Sequence, residues 1–287
     1  MDYGREVQFG VFVIPATMNP TRALDVASLA DEVGFDLIGV QDHPYQWRFF
    51  DTMTLLTAMA MRTHRITLFP DVASLPMRPP AVLAKAAASL DVLSGGRFEL
   101  GLGAGGFWEA IKAMGGSVRT PGESVSALEE AIQVTRLIWS GERNLKFDGR
   151  FYQLSGLNAG PKPAQAMGIW IGGYRPRMLA MTGRLADGWV PSLGYLKPDD
   201  LSAGNERIDE AARAAGRDPK SIRRVVNYGF PIDADTADTL AALVLQHGID
   251  SVLISEDGDE PRDHLTRFMR DVAPRVREKV AEARGSR

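Results

Sequence analysis

The 287-residue sequence predicts a (β/α)8 barrel, on three grounds. Eight short apolar runs recur from end to end, each followed by an amphipathic helical pattern. The runs are continuous rather than alternating, as expected of strands buried on both faces of a parallel sheet, whose crossovers are helical. The length suits a fold that commonly takes about 250 residues as a single domain.

In order, the strand candidates are residues 8–15, 37–43, 66–74, 98–105, 168–173, 188–192, 222–230 and 251–256. Helical patterns begin near Pro20, Asp51, Pro79, Thr120, Arg175, Pro198, Thr236 and Pro261. Their punctuation supports this register. Thr120-Pro121-Gly122-Glu123 reads as a capping box with proline in the first helical turn. Gly95 and Gly96 stand where the third helix must stop before the fourth strand, and Asp187-Gly188 stands likewise before the sixth. Residues 142–167 break the rhythm. Lys146-Phe147-Asp148-Gly149-Arg150-Phe151-Tyr152 reads as two short strands around an Asp-Gly turn, a β-hairpin inserted between the fourth helix and fifth strand. Its two readings are a surface flap and a lid. Residues 1–287 are read as one barrel domain carrying this insertion.

A hydrophobic content of 45% is enough for a large core, and a net charge of -3 gives no reason to expect nucleic acid or an acidic membrane as partner. The absence of cysteine rules out disulfides, thiolate metal sites and a cysteine nucleophile. Residues 1–8 are polar, and no apolar run approaches the roughly 18 residues of a membrane span, so a cytoplasmic location is expected. The second helix carries Met53, Leu55, Leu56, Ala58, Met59, Ala60 and Met61, leaving almost no polar face, and the third is Ala-rich with few charges. Outer helices of a monomeric barrel should show water a charged side. A homodimer through these two helices is therefore expected, with burial under long loops as the plainer alternative.

In this fold function resides where strands end. The second strand ends in Gln41-Asp42-His43-Pro44-Tyr45-Gln46-Trp47, placing a carboxylate and an imidazole at the mouth. Imidazole there can exchange protons or hydrogen-bond a ring, and Trp47 can wall a planar ligand; the plainer reading is a helix cap and a satisfied histidine. His64, His247 and His264 lie in or beside helices and read as structural. The fourth strand ends Gly101-Leu102-Gly103-Ala104-Gly105-Gly106, where missing side chains let a ligand approach the backbone. The fifth ends Gly172-Gly173-Tyr174-Arg175, where bare amides, a helix start and an arginine suit phosphate. Two such strand ends in one barrel point to a planar, phosphorylated cofactor. Phe12, Trp47, Phe107, Trp108 and Tyr195 make the expected pocket walls partly apolar.

The stretches 78–85 and 90–105, with Gly34-Phe35-Asp36, Ile171-Gly172-Gly173 and Ala186-Asp187-Gly188-Trp189, resemble the bacterial luciferase-like family over nearly the whole chain. That resemblance implies a (β/α)8 barrel whose redox partner is coenzyme F420 or reduced FMN. It also implies a non-proline cis peptide in a bulge near Val72, Ala73 and Ser74, against the cofactor. Carried over by position, Asp42 and His43 are the expected catalytic pair; Val72, Ala73, Ser74, Gly103, Ala104, Gly105, Gly172, Gly173, Tyr174 and Arg175 are expected to bind cofactor. The sugar-phosphate dehydrogenase branch of the family has a proton-donating Glu after its glycine turn. Here Gly106 takes that place, with Glu109 three residues on, which argues against sugar-phosphate oxidation.

The expected activity is hydride transfer between F420 and a small organic substrate. The alternatives are a two-component monooxygenase using reduced FMN and, more remotely, a non-catalytic flavin-binding protein. A metal-dependent hydrolase would need more His and carboxylates at strand ends than Asp42, His43 and Asp71, so no metal is expected. No strand-end lysine offers a Schiff base.

Overall fold

The computed structural model describes residues 1–256 and 261–286, so residues 257–260 and Arg287 of the expected domain lie outside the described residues. The predicted units are present. The strands are β1 (Gln8–Val13), β2 (Leu37–Val40), β3 (Thr67–Pro70), β4 (Ala73–Ser74), β5 (Leu100–Gly103), β6 (Leu145–Asp148), β7 (Gln153–Leu157), β8 (Ile169–Ile171), β9 (Gly188–Trp189), β10 (Arg223–Tyr228) and β11 (Ser251–Ser255). The helices are α1 (Arg22–Val33), α2 (Thr52–Arg62), α3 (Pro80–Ser94), α4 (Trp108–Ala113), α5 (Pro121–Trp139), α6 (Pro176–Leu185), α7 (Pro198–Ala214), α8 (Thr236–Leu245), α9 (Pro261–Arg267) and α10 (Ala273–Gly285).

Nine parallel strand segments follow the order β3-β2-β1-β11-β10-β9-β8-β5-β4. The two outermost, β3 and β4, are halves of one stave interrupted at Asp71 and Val72. The ring closes across them: Leu68 N–H donates to Arg97 O at 2.9 Å, Glu99 N–H donates to Leu68 O at 3.0 Å, and Ala73 pairs with Leu102. Eight staves therefore enclose a barrel. Its interior is filled by Leu37, Phe69, Trp170, Val190, Val225 and Leu253, with Phe12 and Val72 packed against them. A larger apolar layer joins the strands' outer faces to the helices, as expected of strands buried on both sides.

Acidic residues ahead of the strands secure the base of the barrel. Asp36 accepts from Phe9 N–H, Asp187 from Ile169 N–H and Asp250 from Arg224 N–H, at 2.9, 2.9 and 3.0 Å. Each satisfies an amide of the preceding stave where its ladder begins, a backbone donor that burial would otherwise leave costly. The Gly-Phe-Asp and Ala-Asp-Gly motifs are thus structural. Asp91, fully buried, gathers the amides of Phe98, Ala164 and Gln165 and so returns the inserted segment to the barrel.

The capping box at Thr120 and Glu123 forms, and Gly95 ends α3 in the left-handed conformation at φ 74°. The hairpin forms too, with β6 and β7 antiparallel. Glu130 of α5 accepts from the amides of Arg150, Phe151 and Tyr152, holding the turn of the hairpin against that helix. The short α4 was not anticipated. Among the described residues no helix is long and apolar enough to cross a membrane.

Candidate active site

The staves open at their C-terminal ends into a cavity of about 450 Å³, lined from β1 by Phe12, from the β2 end by Gln41, Asp42, His43 and Tyr45, and from the broken stave by Asp71, Val72 and Ser74. Gly103 to Phe107 form one wall, Gly172 to Tyr174 another, and Val190, Pro191, Ser192, Tyr195 and Asn227 complete it. Of the expected cofactor residues, all but Ala73 and Arg175 line this cavity. Ala73 is fully buried behind it, and Arg175 is exposed at the start of α6 with its guanidinium over the Tyr174 ring.

The peptide bond Asp71–Val72 is cis, just ahead of the stretch where the resemblance placed one. The bulge turns Val72 inward, and the neighbouring staves make room for it with glycine. A Cβ on Gly103 or Gly172 would meet Val72 Cγ2 at 2.8 Å, and one on Gly101 would stand 1.9 Å from the Pro70 carbonyl oxygen. These glycines therefore accommodate the bulge first, and any ligand meets the surface that they and Val72 form together.

Asp42 and His43 sit side by side with different duties. Asp42 is 3% exposed and its carboxylate is fully engaged. Ser74 N–H donates to its Oδ2 at 2.8 Å, while Arg78 donates from Nε to Oδ2 at 3.2 Å and from Nη2 to Oδ1 at 2.9 Å. Arg78 also reaches Asp51 Oδ2 at 2.7 Å, and these two carboxylates hold its charge firmly despite burial. Asp42 thus ties the far side of the bulge to β2. His43 pairs Nδ1 with Tyr45 Oη at 2.7 Å and packs edge-on against Phe107, leaving Nε2 without a partner among the described residues. Desolvation pulls its pKa below the usual 6.5, although Asp42 works against this, so the ring is neutral at physiological pH. Burial pushes the Tyr45 phenol up to about 12, with Asp42 adding to it.

Two of the expected walls lie elsewhere. Trp47 is 81% exposed with Arg48 stacked on it, because the turn after His43 carries the chain away from the mouth. Trp108 packs beneath Gly105 rather than facing the cavity.

Asp71 and Asn227 had no place among the expected site residues. Both line the cavity, and among the described residues each has a buried oxygen without a hydrogen-bond partner, Asp71 Oδ2 and Asn227 Oδ1. Burial raises the Asp71 pKa to about 7, offset only in part by the Asn227 amide. A polar residue at the end of each apolar run was the available signal.

Among known proteins, the luciferase-like monooxygenase family matches residues 6–285. A 5,10-methylenetetrahydromethanopterin reductase of Methanolobus tindarius is 32% identical over 235 residues, covering 82% of this chain and 68% of the relative. An F420-dependent glucose-6-phosphate dehydrogenase of Nocardia farcinica is 31% identical over 241 residues, covering 80% and 70%. Among solved structures, an F420-dependent secondary alcohol dehydrogenase in complex with an F420-acetone adduct superimposes with a TM-score of 0.81 at 20% identity, covering 95% of this chain and 99% of that one. With a closed eight-stave barrel, a bulged third stave and a match along nearly its whole length, this chain belongs to the luciferase-like monooxygenase family of oxidoreductases.

Proposed function

We propose that the chain transfers a hydride between coenzyme F420 and a small, uncharged organic substrate at the mouth of the barrel. One observation carries this reading: a cavity floored by Val72 between glycine strand ends, with two unpartnered buried oxygens on its wall. That combination of a smooth apolar floor and polar edge groups suits a planar heterocycle. Relatives about 30% identical carry names that include F420, which favours the deazaflavin.

When bound, the deazaflavin supplies or accepts the hydride, and the protein supplies position and polarity. Val72, Gly103, Ala104 and Gly105 would back the ring, with Ser74, Gly172, Gly173 and Tyr174 around it. Arg175 and the amino end of α6 would hold a phosphate, since a helix start and a guanidinium both favour an anion. His43 would present Nε2 to the substrate, holding or moving a proton there. Asp42 would act through position, by fixing the bulge. Phe12 would exclude water from the cavity, and Phe107 and Tyr195 would flank the ligand at its open side. Among the described residues no Lys or Arg lines the cavity, so a sugar phosphate would find no counter-charge there, consistent with Gly106 in place of an acid.

The test is equilibrium titration of purified protein with oxidised F420 and with FMN, followed by fluorescence. Micromolar or tighter binding of F420 with weak FMN binding supports hydride transfer. The reverse preference favours the second reading, an oxygen-consuming reaction with reduced FMN, which the family's monooxygenase character and the partly apolar walls keep in play.

A further inference from the structure

Six titratable side chains line the cavity: Asp42, His43, Tyr45, Asp71, Tyr174 and Tyr195. Arg78 neutralises Asp42, His43 and Tyr45 bond each other, and Tyr174 and Tyr195 stack on one another near solvent. Asp71 differs from all five. It is 9% exposed, it has no cationic partner among the described residues, and its Oδ2 accepts nothing.

Among the described residues, the elements packed around Asp71 present no charge toward it. β2 presents Gly39, where a Cβ would come within 3.0 Å of Asp71 Oδ2, with Phe69 of its own stave and Leu253 of β11 crowding the same point. β10 presents Asn227, and Phe12 of β1 shares the cavity wall. The charged or titratable groups on that wall nearest in sequence are Asp42, already paired with Arg78, and His43. An unpaired carboxylate oxygen in such surroundings carries a full desolvation cost, whereas the carbonyl oxygen of a neutral acid carries far less. Asn227 Nδ2 donates to Ser192 Oγ at 3.0 Å, which leaves the Ser192 hydroxyl hydrogen free to turn toward the cavity. Together the three residues form a polar edge with donors to offer.

We propose that Asp71 is held as a neutral carboxylic acid in the occupied site, donating a hydrogen bond to an acceptor atom of the bound heterocycle beside Asn227 and Ser192. The proposal rests on the F420 or flavin reading for the kind of ligand. It makes binding proton-linked: raising the pH strips the proton from the free site, and the ligand must then restore it. Burial places that transition near pH 7. In the apoprotein the sign follows from the same group. The native state holds the proton between the unfolded pKa of 3.8 and about 7, so stability falls as pH rises across that window and levels above it.

The experiment compares wild type with Asp71→Asn and Asp71→Ser, both neutral at every pH. Calorimetric titration with F420 and with FMN at pH 8, in two buffers of different ionisation enthalpy, counts protons taken up on binding. Denaturant midpoints of the apoproteins from pH 4 to 9 give the second readout. For the ligand that binds, wild type should take up close to one proton more than Asp71→Asn, and its affinity should fall about tenfold per pH unit above 7 relative to the variant. The wild-type midpoint should also fall with pH against the variants. Equal proton uptake and parallel midpoint curves would overturn the proposal, even if F420 binds tightly. If neither ligand binds, the cofactor reading fails and the hydrogen bond to a heterocycle falls with it; the midpoint curves then still decide whether the carboxyl is neutral.

Discussion

Arg78 and Asp42 form a near-buried ion pair that joins the segment after β4 to the end of β2, with side chains only 17% and 1% exposed. The fork donates two hydrogen bonds to one carboxylate, while Ser74 N–H occupies the same carboxylate from the bulge. Removing the cation leaves a buried charge without compensation, which typically costs roughly 3–5 kcal/mol. Arg78→Met should therefore destabilise the fold by that order in urea titration. Asp42→Asn, which keeps an acceptor for Ser74, should cost less. Both should weaken cofactor binding, because the bulge they anchor forms the cavity floor.

The fit of Val72 among glycines gives a graded series. Gly101→Ala places a Cβ 1.9 Å from a backbone oxygen that cannot move aside, and should cost about 3 kcal/mol or more. Gly172→Ala meets the Val72 side chain, its nearest methyl at 2.8 Å, and should cost about 1–3 kcal/mol. Gly106→Ala meets nothing within 4 Å and should stay within about 0.5 kcal/mol of wild type. Adding Val72→Ala to Gly172→Ala should recover part of the loss, a coupling that a double-mutant cycle measures directly. Additive losses would mean that Val72 is not what Gly172 accommodates.

The barrel was legible because most staves are buried along nearly their whole length and read as short apolar runs, and because caps at Thr120 and Gly95 mark helix ends by local chemistry. The site was legible as strand ends but not as a set of duties. Asp42 and His43 are neighbours in sequence and look like a pair, yet only the fold brings Arg78 to the first and Tyr45 to the second. Asp71 and Asn227 are 156 positions apart, each a single polar residue at the end of an apolar run, and their meeting depends on barrel closure. The bulge breaks the alternation that would have told which of residues 71 to 73 face inward. Trp47 was misplaced for the opposite reason: closeness to His43 in sequence does not survive the turn between them. The six residues of α4 are too few to show a helical period.

The outward faces of α2 and α3 support the expected homodimer as a proposal. Met61 is 57% exposed, Val82 65% and Leu93 63%, on two helices that pack against each other. Sedimentation equilibrium should give twice the 31.3 kDa chain mass, and Val82→Arg with Leu93→Arg should return it to the monomer value. A wild-type monomer at micromolar concentration would refute the dimer without touching the active-site reading.

His43 offers the most direct test of chemistry at the mouth. Its ring is anchored at Nδ1 by Tyr45 and against Phe107, so truncation removes the free Nε2 while leaving the wall largely in place. His43→Ala should reduce kcat/KM by about 10²–10⁴, the usual contribution of a positioned acid or base, with little change in cofactor affinity. Tyr45→Phe keeps the imidazole but frees Nδ1, and should cost about tenfold, the worth of one net hydrogen bond. Because desolvation lowers the His43 pKa in the fold, the native state binds fewer protons than the unfolded chain just below the unfolded value of 6.5. Stability from this group is therefore present above that pH and declines as the solution is acidified through it. An NMR titration of the ring should place its midpoint below 6.5, moving upward in Phe107→Ala as water gains access. A midpoint above 6.5 would mean that Asp42, despite Arg78, governs the imidazole, and the ring would then be an imidazolium at neutral pH.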